Sequence, residues 1–255
     1  MNKIVKALIK HKVYVEDLFI LREGETSNTY LANQKDKKVI VKIFKNNNLG
    51  ININSYLEIN ILDQLIQRKI FPKVITHKQD YGILIYEYVE SLSYKKNKKF
   101  ISRLGNQIKK IHDIKVKNDF HRFDEQIEKY KTILGKKLGK DFQTLDKLIT
   151  KAKQYKSKIC FSHNDLNRDN IIHSKEIYFI DYEYASLNNI FCDITRVIQE
   201  YSLNDPEINI LFNSYGIQNS DDVTDQIEIW KNINLLIDKI WTEMMIKTNL
   251  KNNIN

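Results

Sequence analysis

A group of carboxylate and amide side chains lies in the segment that begins at residue 161. In the segment Phe-Ser-His-Asn-Asp-Leu-Asn-Arg-Asp-Asn, Asp165 precedes Asn170 by five residues, and Asp181 follows eleven residues later at the end of an apolar strand. Phosphoryl transfer uses such a trio: one carboxylate orients the attacking hydroxyl, while an amide and a second carboxylate hold metal ions on the phosphates. The alternative is an Asx-rich turn in an Asn-rich chain.

The elements that must position this trio change character along the chain. Strands are predicted over 13–21, 29–32, 38–44, 73–76 and 82–89, with a helix over 53–69. Helices are predicted over 100–112, 123–138, 142–155, 191–202, 205–214 and 221–248, interrupted by a loop over 159–174 and a hairpin over 176–184. The order predicts an α+β protein with two lobes, a small mixed sheet lobe over 1–89 and a larger, mainly helical lobe over 90–255.

The composition is that of a folded protein rather than a disordered or fibrous one. The 255 residues are 42% hydrophobic and 29% charged, and 41 Lys+Arg against 32 Asp+Glu give a formal net charge of +9. A basic balance favours anionic partners such as nucleotides. No stretch packs its basic residues densely with aromatic residues, so nucleic-acid binding is not predicted.

Cysteine usage and hydropathy predict the compartment. Cys160 and Cys192 lack metal-ligand spacing and make a disulfide framework improbable. The N terminus lacks the apolar core and the cleavage site of a signal peptide, and no window approaches the roughly 18 uncharged apolar residues of a membrane span. A cytoplasmic protein is expected, and the oligomeric state is left open.

Three segments of the second half resemble the choline/ethanolamine kinases, which belong to the aminoglycoside-phosphotransferase and protein-kinase-like fold. These segments are His163-Asn-Asp-Leu, Ile180-Asp-Tyr-Glu-Tyr-Ala-Ser186 and Cys192-Asp-Ile194. The run from Asp181 to Ser186 is close to the D-F-E-Y-A-S run of the family. The resemblance extends over roughly residues 15–248 and implies an ATP- and Mg²⁺-dependent transfer of a phosphoryl group to the hydroxyl of choline or ethanolamine.

The resemblance also implies roles for the residues of the catalytic segment. Asp165 matches the catalytic base, and His163 matches the histidine that braces its loop; these two are the predicted catalytic residues. Asn170 and Asp181 match the magnesium ligands, whose hard oxygens suit Mg²⁺. Asp193 matches an aspartate that braces the same loop. His112 is expected to be a buried histidine that bonds a neighbouring backbone group.

A nucleotide site is implied for the first lobe. Lys42 shares a strand face with apolar neighbours by period two and matches the lysine that pairs the α and β phosphates. Glu58 matches the carboxylate that pairs with this lysine. The implied cofactor-binding residues are Gly24, Ser27 and Asn28 of a nucleotide loop, Lys42, Glu58, and Glu87 and Val89 of a hinge that bonds adenine through its backbone.

The acceptor site is expected to combine aromatic faces with carboxylates. A quaternary ammonium cannot donate hydrogen bonds, so these two kinds of group are what can bind choline. The predicted substrate-binding residues are Asp165, Glu183, Tyr184 and Trp241, and Glu183 ranks first because of its D-F-E-Y position. Trp241 resembles one tryptophan of the family's W-x-x-W cage, and Asp238 stands at the position of the other.

Other functions remain open at this point. The acceptor could be ethanolamine, thiamine or another amino-alcohol, and an aminoglycoside kinase has the same fold. A non-catalytic nucleotide-binding protein is the alternative from a different class. The presence of Lys42, Asp165, Asn170 and Asp181 together argues against it, because a degenerate kinase usually lacks one of them.

Overall fold

The computed structural model describes residues 3–24, 26–45, 59–117 and 119–252. Its strands are β1 (Glu16–Glu23), β2 (Ser27–Gln34), β3 (Lys37–Phe44), β4 (Val74–Lys78), β5 (Ile83–Glu87), β6 (Ile159–Ser162), β7 (Ile171–His173), β8 (Ile177–Phe179) and β9 (Ser186–Asn189). Its α-helices are α1 (Lys3–Lys10), α2 (Ile59–Gln67), α3 (Lys98–His112), α4 (Phe123–Leu134), α5 (Gly139–Ala152), α6 (Phe191–Glu200), α7 (Asp205–Tyr215) and α8 (Asp221–Asn252).

The first five strands form one sheet in the order β1-β2-β3-β5-β4. All four pairings are antiparallel, whereas the sequence predicted a mixed sheet. The physical reason lies in the short connections: hairpins join β1 to β2, β2 to β3 and β4 to β5, and a parallel pair would need a long crossover. Lys35 and Asp36, both with positive φ, form the tight turn between β2 and β3.

The central strand β3 divides its side chains between two cores, as its period-two pattern predicted. Val39 and Val41 join the apolar cluster on the outer face of the sheet. Ile40 and Phe44 join the large core that continues into the helical lobe. Lys42 lies on the same face as Ile40 and Phe44 and is only 2% exposed. The strand therefore delivers a lysine into the space between the two lobes.

The sequence predicted no element at the N terminus, where the structure has helix α1. Leu8 is buried against the outer face of the sheet, and Ile4, one helical turn earlier, packs beside it. A helix of eight residues is marginal in isolation, so packing on the sheet stabilises it.

The second lobe consists of helices around the same large core. Helix α3 packs against α7, and the long helix α8 packs against α4, α5 and α6. The predicted helix over 123–138 ends as an α-helix at Leu134, because Gly135 takes a positive φ and a 3₁₀ turn follows. The lobe boundary predicted near residue 89 falls in the segment 88–97, which forms neither helix nor strand, and stays a prediction.

Two short ladders replace the predicted loop and hairpin over 159–184. Strand β6 pairs with β9 so that Ser162 lies opposite Ser186, and β7 pairs with β8 so that Ile171 lies opposite Phe179. The segment between β6 and β7 carries Asp165, and the segment between β8 and β9 carries Asp181. The interleaved ladders thus bring the two carboxylate-bearing segments side by side.

Within the ranges given above, no helix combines the length and the hydropathy that a bilayer crossing requires.

Gly105 of α3 lies close against α7, and its substitution tests this packing. A Cβ added there would lie 2.6 Å from the carbonyl oxygen of Leu211. We expect Gly105→Ala to lower the free energy of unfolding by about 1–3 kcal/mol, as overpacking does. The matched control is Gly139→Ala, where no atom lies within 4 Å and alanine should be neutral or stabilising. Urea unfolding measures both variants, and equal stability of the two would contradict the packing argument.

Candidate active site

The buried carboxylate of Asp193 holds the loop between β6 and β7 in place. Asp193, in the first turn of α6, accepts hydrogen bonds from the backbone N–H groups of His163 (2.7 Å) and Asn164 (2.8 Å). Asn164 has a φ of 66°, in the left-handed region that asparagine tolerates better than most residues. These bonds fix the turn immediately before Asp165, which is the bracing that the resemblance implied for Asp193.

His112 extends this support to α3 and α7. Its Nε2 lies 3.1 Å from Asp193 and its Nδ1 lies 2.8 Å from the hydroxyl of Tyr215. The sequence predicted a bond to backbone, whereas both partners are side chains. Burial by itself would lower the pKa of His112, but the hydrogen bond to Asp193, the neighbouring Cys160 and the charge of Asp193 together raise the pKa to about 9. The result is a buried ion pair under the loop.

His163 holds the two site segments together from behind. Its Nε2 donates to the carbonyl oxygen of Ile180 (2.9 Å), and its Nδ1 accepts from the backbone N–H of Asp165 (3.3 Å). Burial lowers its pKa below the ordinary value, which favours the neutral ring that both bonds require. The ring is fully buried. Both contacts fit the bracing role that the resemblance implied for His163, and its direct participation in catalysis stays a prediction.

Asp165 has both carboxylate oxygens held by amides. Oδ1 accepts from Asn167 (2.9 Å) and Oδ2 accepts from the side chain of Asn170 (2.9 Å). Burial raises its pKa to about 6, while the charge of Arg196 and the two amide bonds act in the opposite direction. The carboxylate is thus oriented before any ligand arrives.

The two predicted magnesium ligands lie on neighbouring segments. The backbone N–H of Ile180 donates to the carbonyl of Asn170 (2.9 Å), and Asp181 follows with a φ of 66°. The amide nitrogen of Asn170 donates to Asp165, which leaves the amide oxygen as its ligating atom. Among the described residues, no three His, Cys, Asp or Glu side chains form a metal cluster. The oxygens of Asn170 and Asp181 fit Mg²⁺ if phosphate and water complete its shell.

Lys42 extends from the sheet lobe to the carboxylates of Asp181 and Glu183 in the helical lobe. Its Nζ contacts Asp181 and lies 2.6 Å from Glu183. Glu183 also accepts hydrogen bonds from the hydroxyls of Thr26 and Ser27, the latter at 3.0 Å. Burial by itself would raise the pKa of Glu183, but Lys42 and the two hydroxyls lower it. Glu183 is therefore held as a carboxylate at the junction of the lobes.

The position of Glu183 differs from the sequence prediction. The sequence placed this residue in the acceptor site, but its partners Thr26, Ser27 and Lys42 all belong to the predicted nucleotide site. The physical reason is the 3₁₀ turn over Tyr182–Tyr184. In this turn, Tyr182 points into the core, Glu183 points to the sheet lobe, and Tyr184 lines the pocket described below.

The predicted nucleotide loop is a tight connection between β1 and β2. The N–H of Gly24 donates to the carbonyl of Ser27 (2.9 Å), and Lys45 donates to the carbonyl of Gly24 (2.6 Å). The side-chain oxygen of Asn28 is buried and has no hydrogen-bond partner among the described residues. Asn28 lies opposite Ile43 in the ladder, so its side chain is on the outer face of the sheet, the face away from Lys42. A contact of Asn28 with a nucleotide stays a prediction.

The remaining predicted cofactor-binding residues are Glu58, Glu87 and Val89. Glu58 lies outside the described residues. Glu87 ends β5, where its N–H donates to the carbonyl of Lys73 (2.9 Å). Val89 follows in the segment that joins the lobes and is half-buried. Their place beside the sheet edge fits a hinge, and their contact with adenine stays a prediction.

A pocket opens in the helical lobe directly beyond Asp165. Four aromatic rings form much of its wall, those of Phe123, Tyr130, Tyr184 and Trp241. Tyr184 packs edge-on against Trp241 at 4.9 Å, and Tyr130 lies 6.1 Å from the same ring. The polar part of the wall includes Asp165, Arg196 and Asp238. The structure thus brings together three of the four predicted substrate-binding residues, namely Asp165, Tyr184 and Trp241.

The candidate site therefore extends from Lys42 and the predicted magnesium ligands to Asp165, and from Asp165 into the aromatic pocket. The family profile of the choline/ethanolamine kinases matches residues 18–226. The chain belongs to the choline/ethanolamine kinase family. Its two lobes, an antiparallel sheet followed by helices, have the kinase-like fold.

Comparisons with individual proteins agree with this kinase-family assignment. A LicA homolog of Mycoplasma capricolum is 25% identical over 149 residues, which are 57% of this chain and 61% of the relative. The chain thus spans about three fifths of the length of this curated relative.

Solved structures show the same fold. The choline kinase LicA of Streptococcus pneumoniae superposes with a TM-score of 0.76 at 23% identity, over 98% of this chain and 91% of that one. Spectinomycin phosphotransferase, solved with ADP and spectinomycin, gives a TM-score of 0.68 at 14% identity, over 93% and 85% of the two chains. Kinases of quite different acceptors therefore share the architecture, and the pocket must distinguish their substrates.

Several residues of this candidate site were missed by sequence reasoning. Asn167 orients Asp165, Tyr130 supplies a pocket ring, and Arg196 supplies a pocket cation. Asn167 could have been found from its place within the catalytic segment. Tyr130 and Arg196 lie on helices whose patterns show burial but not the partner that each face meets.

The His112–Asp193 pair predicts a pH-dependent stability. A histidine whose pKa is raised from 6.5 to about 9 stabilises the fold fully below its unfolded-state pKa, and this contribution is lost as the pH rises through 9. We expect the free energy of unfolding to fall over this window by about 1.4 kcal/mol per unit between the two pKa values. His112→Asn should be destabilised at pH 6 and should lack this fall.

Urea unfolding at pH values from about 6 to about 9.5 measures this dependence. His11→Asn, on the opposite side of the sheet lobe, is the control and should retain the wild-type slope. Identical slopes for the wild type and His112→Asn would show that the pair does not carry a proton in the folded protein.

Proposed function

We propose that this chain transfers the γ-phosphoryl group of ATP to the hydroxyl of a small amino-alcohol, such as choline or ethanolamine. The observation that carries the proposal is the position of Asp165. One oxygen of Asp165 accepts a hydrogen bond from Asn170, a predicted magnesium ligand. Asp165 also lines the aromatic pocket. An acceptor bound in the pocket would present its hydroxyl to the carboxylate that borders the phosphate site.

The nucleotide would lie between the lobes, where Lys42 and Ser27 meet Glu183. Lys42 would pair the phosphates, Ser27 and the backbone of the loop at Gly24 and Asn28 would contact them, and Glu87 and Val89 would border the adenine. Mg²⁺ held by Asn170 and Asp181 would neutralise charge on the phosphates during transfer. Related kinases of known structure contain AMP or ADP, which supports ATP as the donor.

Asp165 would position the acceptor and receive its proton. The acceptor oxygen forms a bond to the γ-phosphorus while the bond from that phosphorus to the bridging β,γ-oxygen breaks, and ADP leaves. The hydroxyl proton passes to the carboxylate of Asp165. Because the transition state of phosphoryl transfer is loose, orientation by Asn167 and Asn170 contributes more than the basicity of this carboxylate.

The pocket supports a cationic acceptor. Tyr130, Tyr184 and Trp241 offer ring faces and edges, and each cation–π contact contributes about 0.5–2 kcal/mol. Asp165 adds a carboxylate at the end where the hydroxyl must lie. A pocket with a charged end and an aromatic wall suits a small molecule with a cationic nitrogen near a hydroxyl.

Asp165→Asn tests the reaction itself. We expect it to lower kcat by about 10²- to 10⁴-fold, because it removes the proton acceptor, while the affinity for Mg-ADP stays within a factor of about two. Coupled ADP release with choline, ethanolamine, thiamine and kanamycin measures kcat, and calorimetry measures nucleotide binding. Asp169→Asn, an exposed carboxylate in the same loop, is the matched control. Retention of more than about a tenth of wild-type kcat by Asp165→Asn would exclude the proposed role.

Glu183→Gln tests the assignment of Glu183 to the nucleotide side. Glutamine keeps hydrogen bonds to the hydroxyls of Thr26 and Ser27 but removes the charge beside Lys42. We expect the KM for ATP to rise at least about tenfold, because a buried hydrogen-bonded charge pair is broken, with a change of less than about threefold in the KM of the acceptor. The exposed Glu90→Gln is the control. A larger effect on the acceptor KM would return Glu183 to the acceptor site.

A further inference from the structure

The wall of the acceptor pocket contains an ion pair whose two members differ in exposure. Arg196 of α6 donates from Nη1 and Nη2 to the two carboxylate oxygens of Asp238 of α8, at 2.7 and 2.6 Å. The side chain of Arg196 is 10% exposed, whereas that of Asp238 is 50% exposed. Both residues line the pocket that holds Asp165, Tyr184 and Trp241.

This geometry makes Asp238 a fixed acceptor of hydrogen bonds. A two-point contact between guanidinium and carboxylate holds both groups in one plane, so the carboxylate cannot turn away from the pocket. Each oxygen of a carboxylate has a second lone-pair site besides the one that Arg196 occupies. Because Asp238 is half-exposed, those sites remain open to the pocket.

The charges of Arg196 and Asp238 largely cancel, so the pair exerts little net electrostatic attraction on a cation in the pocket. An arginine alone would repel an ammonium group, and Asp238 cancels that charge. The pair therefore offers little net attraction, and what it can offer is an oriented acceptor for an N–H donor. A protonated primary amine can donate to it. A trimethylammonium group has no N–H and would instead remove water from the ion pair without replacing the lost hydrogen bonds.

We propose that Asp238, held in place by Arg196, selects acceptors whose nitrogen carries at least one hydrogen over quaternary ammonium alcohols. This inference rests on the proposed function, since it concerns the same pocket. Sites that are built to hydrogen-bond a substrate reject an analogue without the donor more strongly than apolar pockets reject an extra methyl group. The chemical class that fits best is a primary or secondary amino-alcohol.

A methylation series measures this selectivity directly. Ethanolamine, N-methylethanolamine, N,N-dimethylethanolamine and choline have the same hydroxyl and carbon spacing and are all cations at neutral pH. We expect kcat/KM of the wild-type protein to fall at least about tenfold along the series, with the largest step at choline, where the last N–H is lost. A wild-type kcat/KM for choline equal to or above that for ethanolamine overturns the proposal, and this result needs no variant.

The double variant Arg196→Met/Asp238→Leu removes the pair without leaving an uncompensated buried charge. We expect its kcat/KM values for ethanolamine and choline to differ by less than about threefold, mainly through a change in KM. The matched control is Lys239→Met/Asp141→Leu, which removes a pair (2.8 Å) that joins α8 to α5 outside the pocket wall and should retain the wild-type ratio.

Two outcomes separate failure of this inference from failure of the proposed function. An unchanged ratio in a folded Arg196→Met/Asp238→Leu protein overturns the role of the pair while the kinase activity stands. Wild-type protein that binds Mg-ATP but turns over none of the four alcohols overturns the proposed function, and the selectivity of Asp238 with it.

Discussion

The contact of Lys42 with Asp181 and Glu183 is the interaction on which the arrangement of the lobes depends. A lysine that is 2% exposed is tolerable only because two carboxylates meet it, and breaking such a buried pair typically costs about 3–5 kcal/mol. The lysine comes from the centre of the sheet, whereas both carboxylates come from the segment between β8 and β9. One charge cluster therefore holds Lys42 of the sheet lobe beside Asp181 and Glu183 of the helical lobe.

A second buried pair keeps the catalytic loop in register with that cluster. Asp193 binds two backbone N–H groups of the loop on one side and His112 on the other. His163 then ties the loop to the backbone at Ile180, one residue before Asp181. Asn164 and Asp181 both adopt left-handed backbone, which stores a small strain that these surrounding bonds stabilise. The chemistry thus rests on buried polar groups rather than on apolar packing alone.

Membership in the choline/ethanolamine kinase family fixes the architecture but leaves the acceptor to the pocket wall. Aromatic rings attract a cation that lies over their faces. Recognition of an N–H donor needs a directional acceptor as well, and the half-exposed carboxylate of Asp238, held by Arg196, is the group that we propose for this role.

The sequence by itself determined the spacing of Asp165, Asn170 and Asp181, the period-two burial of Lys42 with its strand, and the main helices of the second lobe. These features follow from the order of residues within one segment, because strand and helix periodicity determine which side chains share a face. Tertiary structure decided that Glu183 faces Lys42, that Arg196 meets Asp238 forty-two residues along the chain, and that α1 covers the sheet. These features depend on which distant surface each side chain meets, and a turn of three residues sends neighbouring side chains in different directions.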